Sequence, residues 1–406
     1  MISKNELKNF WPFYVHSLVF NLSKVIMPFY VLYFLGIGFS FFQIALIGSI
    51  RSVVGIAFEV PTGVIADRYG RKFSVILGYL LKTVSLFLVP FFRDFGIVAA
   101  ILALDALFET FVSGADRAWA VDLAQKQDSS LIDQYFLKSR FFRNIGMVAA
   151  PIIAGYIASR FGMKLLWLVF AVGCSIATIF LFFGKEIREV KDKISSSVKE
   201  GVKDFWSSSK ITIKFAFGHR ILLLLLSGIF IFYFIDEITS LVWTPYLQKT
   251  GINLQTIGFL FSAVSAAGIF APIIAGVLLK RSSKFSILFF CGLCYSALLF
   301  VAGSFGNKIL AGLIFVLFSS VDEIFLPLEE ALTNNFIESK NRAAVLSVKS
   351  MVESFSSIIG APIAGFILGV VTMRQAFILA GVLFIILPII YFSARTKNLQ
   401  IKSGQS

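Results

Sequence analysis

The stretch Gly63-Val64-Ile65-Ala66-Asp67-Arg68-Tyr69-Gly70-Arg71-Lys72 decides the reading of this chain. It places an acid, three bases and a glycine in the short gap between two apolar runs, 41–66 and 73–92. A helix needs about 20 apolar residues to cross a bilayer core, so two such runs joined by a tight polar turn read as a membrane hairpin. Gly63 permits close helix approach, Asp67 can cap a neighbouring helix N-terminus, Gly70 makes the turn, and Arg71 and Lys72 hold the loop at the cytoplasmic surface.

Outward from this hairpin the apolar runs continue over 10–36, 95–121, 136–160 and 163–184, then over 220–249, 254–279, 285–305, 309–336, 342–370 and 374–394. With 57% hydrophobic and 15% charged residues and a mean hydropathy of +0.85, the 406-residue chain is excluded from the soluble class, in which about a quarter of residues are charged. Its length leaves room for about twelve crossings and no sizeable soluble domain. The first run is too long for a signal peptide and lacks a small-residue cleavage site, so it reads as an uncleaved span. A net charge of +14 would suggest nucleic acid in a soluble protein. Here the cations gather in alternate loops at roughly four to one, which points to cytoplasmic loops and termini in the cell membrane, and to no nucleic acid. Cys174, Cys291 and Cys294 lie inside apolar runs, so neither a disulfide framework nor a metal site is expected.

One polar stretch, 185–219, divides the chain into halves, 1–184 and 220–406. Val198, Val202, Phe205 and Trp206 recur there at helical spacing opposite Lys199, Lys203 and Lys210, which suits either a helix on the inner membrane surface or a charged tether. The halves repeat one another. Gly55-Ile56, Gly63-Val64 and Arg68 recur 213 residues later as Gly268-Ile269, Gly276-Val277 and Arg281. Ala150-Pro151-Ile152-Ile153-Ala154-Gly155 reappears as Ala271-Pro272-Ile273-Ile274-Ala275-Gly276, and again as Ala361-Pro362-Ile363-Ala364-Gly365.

The 63–72 loop resembles the signature of the major facilitator superfamily, G-x-x-x-D-R-x-G-R-[KR], at every defined position. The resemblance implies an all-α integral membrane fold, with twelve transmembrane helices in two pseudo-symmetric six-helix bundles around a central cavity. It also implies transport by alternating access, with Gly63, Asp67, Arg68, Gly70, Arg71 and Lys72 as a gating loop. The fifth run, with Gly146, Ala150, Pro151, Ala154 and Gly155, is similar to G-x-x-x-G-P-x-x-G-G of the drug:proton antiporters in that family, with alanine at two glycine positions.

Charges at membrane depth are costly and mark functional candidates. On an unbroken helix Asp105, Glu109 and Asp116 share one face within about 40°. Asp116, beside Arg117 and Asp122, also reads as a helix anchor. Lys24 lies at a depth near that of Glu109, so an ion pair between them is expected, with Asn21 and His16 close by. The family pattern places these runs along the cavity. In the second half Asp236, Glu237, Tyr233 and Trp243 on the seventh run, and Asp322 and Glu323 on the tenth, complete the candidate cavity for proton and substrate. Arg51, Glu59 and Glu353 are candidates for a gating salt bridge. The excess of carboxylates favours cationic substrates.

The function expected from this is a secondary active transporter, a proton-coupled antiporter effecting efflux of hydrophobic or cationic small molecules. The alternative is a proton-coupled transporter of one specific metabolite. The implied partners are a small-molecule substrate, protons and the lipid bilayer, with the protein a monomer and no cofactor. No phosphate-binding G-x-x-x-x-G-K-[ST] loop, nucleophile elbow or metal spacing argues for an ATP-driven pump or an enzyme.

Overall fold

The structure, a computed structural model, describes residues 4–127, 131–186, 219–337 and 342–403. The expected amphipathic stretch at 198–210, in the 185–219 linker, lies outside the described residues. Twelve helical segments are long and apolar enough to cross a membrane. Numbered in chain order, the first six are Asn9–Gly36, Phe41–Tyr69, Arg71–Phe91, Phe95–Lys126, Leu131–Phe161 and Lys164–Phe182. Spans 7 to 12 are Arg220–Lys249, Leu254–Leu279, Lys284–Ser304, Lys308–Asn334, Val345–Val370 and Met373–Gln400.

Local chemistry sets the span ends. Asp94, Ser283 and Asn307 each accept a backbone N–H from the first turn that follows them. Thr372 and Gln375 form a reciprocal capping box at the start of span 12. Among the described residues three spans are discontinuous, span 12 at Ile385, between Met373–Phe384 and Ile386–Ser403. Span 1 breaks after Ser23 and resumes through a 3-10 turn, Met27–Phe29, where Pro28 lacks the N–H that an α-helix would need. Span 4 breaks after Thr110 and restarts at Ala115, with Gly114 at φ 72°, a conformation that favours glycine.

The described residues form two compact units. One comprises those of 4–38 and 50–186 together with 254–262; the other comprises 39–49, 219–253 and those of 263–403. Each unit thus takes in the opening residues of one span whose remainder belongs to the other. Within the first unit span 1 packs on spans 5 and 6, and span 3 on spans 4 and 6. Within the second, span 7 packs on spans 11 and 12, and span 9 on spans 10 and 12. The same wiring in both units is what a duplicated sequence produces.

The small-residue repeats seat the exchanged segments. A Cβ on Gly155 would fall 2.8 Å from the carbonyl oxygen of Leu254, and Ser262 Oγ donates to the Val148 carbonyl at 2.8 Å. In the second unit a Cβ on Gly365 would lie 2.6 Å from Phe42 Cα. Ser49 Oγ there donates to the Ile358 carbonyl at 3.0 Å. Small residues let backbones touch where no larger side chain fits. Gly276, in the remaining copy, 271–276, meets open space.

Candidate functional site

Span 3 presents Ser74, Gly78 and Lys82 toward span 4 at four-residue spacing. Ser74 Oγ donates to the Phe111 carbonyl at 2.7 Å, and a Cβ on Gly78 would fall 2.8 Å from the Phe108 carbonyl oxygen. That close approach carries Lys82, one turn further along, into the acids of span 4. Its Nζ lies 2.6 Å from Glu109 Oε2 and 3.1 Å from Asp105 Oδ1. The Asp105 Oδ1 atom has no hydrogen-bond partner of good angle, so the second contact is Coulombic. Arg51, from span 2, donates to Asp105 Oδ2 at 2.6 Å and to the Leu102 carbonyl at 3.2 Å. Two acids and two bases therefore close on one another. Asp105 is 2% exposed, whereas the Glu109 side chain keeps 47% of its surface open.

This corrects the expected partnership of Lys24 and Glu109. Among the described residues no ion pair joins them, and Glu109 is held by Lys82. Lys24 sits at the break in span 1, where a cation faces the C-terminal end of the Lys4–Ser23 helix. Its Nζ lies 4.5 Å from the centroid of the Phe20 ring. Asn21 is buried and donates to the Ser17 carbonyl of its own helix at 2.7 Å. His16 donates through Nδ1 to the Ala177 carbonyl at 3.0 Å and stacks on Phe20, which makes it a packing residue. The single face expected for Asp105, Glu109 and Asp116 assumed an unbroken helix. Glu109 and Asp116, on either side of the break at 111–114, line one cavity of about 740 Å³, while Asp105, one turn before Glu109 on the same helix, is sealed between Arg51 and Lys82.

The 63–72 loop divides into residues that hold the first unit together and residues that do not. Gly70, at φ 105°, makes the turn. Arg71 pairs with Asp122 at 2.6 Å. Lys72 donates through Nζ to the carbonyls of Phe182 and Gly184, both at 2.7 Å, and through its backbone N–H to Glu186 at 2.9 Å. A lysine on the open carbonyls of a helix C-terminus satisfies acceptors that the helix cannot. Gly63 meets open space, so it is not the site of close helix approach. Asp67 and Arg68 are exposed, and among the described residues Asp67 caps no helix.

In the 146–155 segment of span 5, two faces are occupied. Gly146 lies against span 1, where its Cβ would fall 2.8 Å from the Leu18 carbonyl oxygen. Ala150, Pro151, Ala154 and Gly155 are buried.

The second unit carries a different arrangement. Asp322, half-buried on span 10, accepts a hydrogen bond from Tyr295 Oη of span 9 at 2.6 Å. Asp236, on span 7, accepts from Thr239 Oγ1 at 2.8 Å and is an electrostatic neighbour of Asp322. Among the described residues neither aspartate has an ion pair. About two helical turns further along span 10, Glu329 is fully buried between Thr333 at 2.6 Å and Lys349 Nζ at 2.7 Å. Glu323 stands against Gly268, where a Cβ would lie 2.8 Å from its carboxyl carbon. Glu237 is half-buried beside Ser357. Tyr233 is half-buried with its ring edge-on to Phe232 at 5.3 Å. Trp243 is not a cavity residue: it is 4% exposed and packed among Tyr246, Phe315, Phe318 and Phe377. The gate candidates bind within their own units. Glu59 accepts from Ser113 Oγ at 2.6 Å, and Glu353 lies 3.9 Å from Lys349.

Lys82 and Tyr295 are the partners of the candidate acids that sequence reasoning missed. Tyr295 follows Lys82 by 213 residues, the period already visible in the halves, and Val264 follows Arg51 by the same interval. The signal for Lys82 was the Ser74, Gly78, Lys82 stripe, a small-residue face with a charge at membrane depth.

Twelve apolar spans wired as two like units define a multi-pass membrane protein with a duplicated transporter architecture. The Major Facilitator Superfamily model matches residues 13–322, and the chain belongs to that family. It is 24% identical over 400 residues, 95% of each chain, to the uncharacterised MFS-type transporter YxaM of Bacillus subtilis (strain 168). Similarity to the multi-drug resistance efflux pump PmrA homolog of Lactococcus lactis subsp. lactis (strain IL1403) is 22% over 389 residues, 91% of this chain and 89% of that one. Among solved structures, the nucleoside transporter NupG superimposes with a TM-score of 0.79 at 13% identity, covering 96% of this chain and 98% of that one. A POT family transporter in complex with 5-aminolevulinic acid gives 0.73 at 14% identity, covering 96% and 95%. These identities establish the fold. The protein is a membrane transporter, not an enzyme in the usual sense.

Proposed function

We propose that this chain is a proton-coupled secondary transporter that exports small organic molecules by alternating access, and that Asp322, with Asp236 beside it, carries the proton. The observation that supports this reading most is the pairing of a half-buried Asp322 with the Tyr295 hydroxyl and with no cation among the described residues. A carboxylate held by a hydroxyl can gain or lose a proton without breaking an ion pair, which a buried salt bridge makes costly. Asp105, between Arg51 and Lys82, is the opposite case. Glu109, open on one side, then couples the Lys82 network to the cavity and is the second candidate for the proton.

The 63–72 loop acts as the gating loop in this proposal, with both termini on the cytoplasmic side of the cell membrane. Export is favoured by the span 5 segment, whose Pro151 and flanking small residues match the antiporter motif, and by the likeness to a protein named as a multi-drug efflux pump. A transporter of one polar metabolite is the second reading, favoured by the charged lining of the cavity of about 740 Å³.

The test is reconstitution into proteoliposomes with an imposed pH gradient and an internal pH-sensitive dye. Substrate addition should drive proton movement in the parent, and Asp322→Asn should abolish it while substrate still equilibrates down its own gradient. Proton movement of parental size in Asp322→Asn together with its loss in Glu109→Gln assigns the proton to the first unit instead.

A further inference from the structure

The breaks in spans 1 and 4 open onto one cavity of the first unit, and its charge is unlike that of the acids that drew attention to it. Lys24, Arg117, Arg140 and Arg143 line it, against Glu109 and Asp116. Both acids are already answered from the protein side. Lys82, behind the wall, holds Glu109 at 2.6 Å. Arg117, next in the chain to Asp116, supplies the charge opposite it and donates its backbone N–H to Asp116 Oδ1 at 2.6 Å. Lys24, which faces Glu109 beyond ion-pair distance, and Arg140 have no ion pair among the described residues, and four basic against two acidic side chains leave the lining net positive.

We propose that this cavity is a subsite for an anionic group, a carboxylate or phosphate on the transported molecule, held by Lys24 and Arg140. This deepens the transporter reading and rests on it, but it replaces the cationic substrate class with an anionic one. A cavity whose uncompensated charge is positive raises the local concentration of anions and disfavours cations by field alone. Guanidinium and ammonium donors supply charge-assisted hydrogen bonds to carboxylate and phosphate oxygens. Phe20, against Lys24, leaves the Nζ donors free to face an anion.

The experiment reads binding without any gradient, so its outcome is separate from that of the proton assay. The full-length protein in detergent is followed by thermal unfolding with benzoate, succinate and phenyl phosphate, and with tetraphenylphosphonium and ethidium as cations. At least one anion should stabilise, and its affinity should fall about tenfold in Lys24→Gln and in Arg140→Gln, the loss expected for one charge-assisted contact. Lys24→Arg and Arg140→Lys, which keep the charge, should retain most of it. Stabilisation by the cations and not the anions overturns the proposal, as does unchanged anion affinity in both charge-removing variants. A short-chain phosphatidylglycerol is added in a further arm. If it stabilises and the water-soluble anions do not, the cavity holds a lipid headgroup and the substrate proposal is overturned. Anion binding that survives in Asp322→Asn, with proton movement lost, leaves this proposal standing and separates it from the coupling one.

Discussion

The two units solve the same packing problem with different chemistry at equivalent positions. In the first, Lys82 meets Glu109 and, with Arg51, Asp105; in the second, Asp322, 213 residues after Glu109, meets Tyr295, and phenylalanine and valine stand where Asp105 and Arg51 would be. A buried acid between two bases is fixed, because removing either partner strands a charge in a medium that cannot solvate it. An acid on a hydroxyl is neutralised by nothing permanent. Duplication supplied the helix frame twice, and divergence at these positions left a cluster of paired charges in one unit and an acid on a hydroxyl in the other.

Breaking the fixed cluster should give the largest effect. Lys82→Met leaves Asp105 with Arg51 alone and Glu109 with no base, and is expected to cost about 3–5 kcal/mol. The measurement is the midpoint of thermal unfolding and the yield of monodisperse protein. Adding Glu109→Gln to Lys82→Met should recover most of the loss, since the Arg51–Asp105 pair then remains. If the single variant is as stable as the parent, the first unit does not depend on the cluster.

The comparison sharpens when one unit is given the other's chemistry. Tyr295→Lys places a cation opposite Asp322 and should abolish proton movement in proteoliposomes while keeping the protein folded. Tyr295→Phe should lower gradient-driven transport by about tenfold, the size of one hydrogen bond to a charged group. Retained coupling in Tyr295→Lys removes the distinction drawn between the units.

A smaller effect is expected at the close approaches that seat the exchanged segments. Gly155→Leu in the first unit and Gly365→Leu in the second should each destabilise by about 1–3 kcal/mol through overpacking. Gly276→Leu, with open space around the equivalent glycine, should change the unfolding midpoint little. Smallest of all is the loop. Lys72→Ala removes a cation from the C-terminal end of span 6 and should cost about 0.3–1 kcal/mol. Asp67→Asn should leave stability unchanged, so any transport defect it shows belongs to gating and is read from flux at equal protein density.

Much of the site could be read before the fold was known. Asp105, Glu109, Asp236 and Asp322 announce themselves as charges inside apolar runs, and lipid tolerates such groups only when they are partnered or useful. Their partners could not be read. Lys24 and Glu109 have similar depth, but depth is one coordinate. Azimuth and neighbouring helix decide contact, and Gly78 brings span 3, with Lys82, closer to Glu109 than any cation on span 1. Asp105 was expected on the same face as Glu109 and Asp116, but Arg51 and Lys82 enclose it while the other two acids line the cavity. Trp243 looked like a binding residue by type, and its aromatic neighbours on spans 10 and 12 made it core.

The sequence by itself determined the twelve spans, the family loop and the small-residue repeats. Each is a property of consecutive residues, which share one helix or one turn and answer to the length and polarity of the bilayer. Tertiary structure alone decided which base holds which acid, which copy of a repeat makes a close approach, and that the cavity at the breaks in spans 1 and 4 is positive. Those depend on distances between residues far apart in the chain. Packing energies vanish within a few ångströms and Coulombic energies fall inversely with distance, so a charge takes its meaning from the helix that happens to lie beside it.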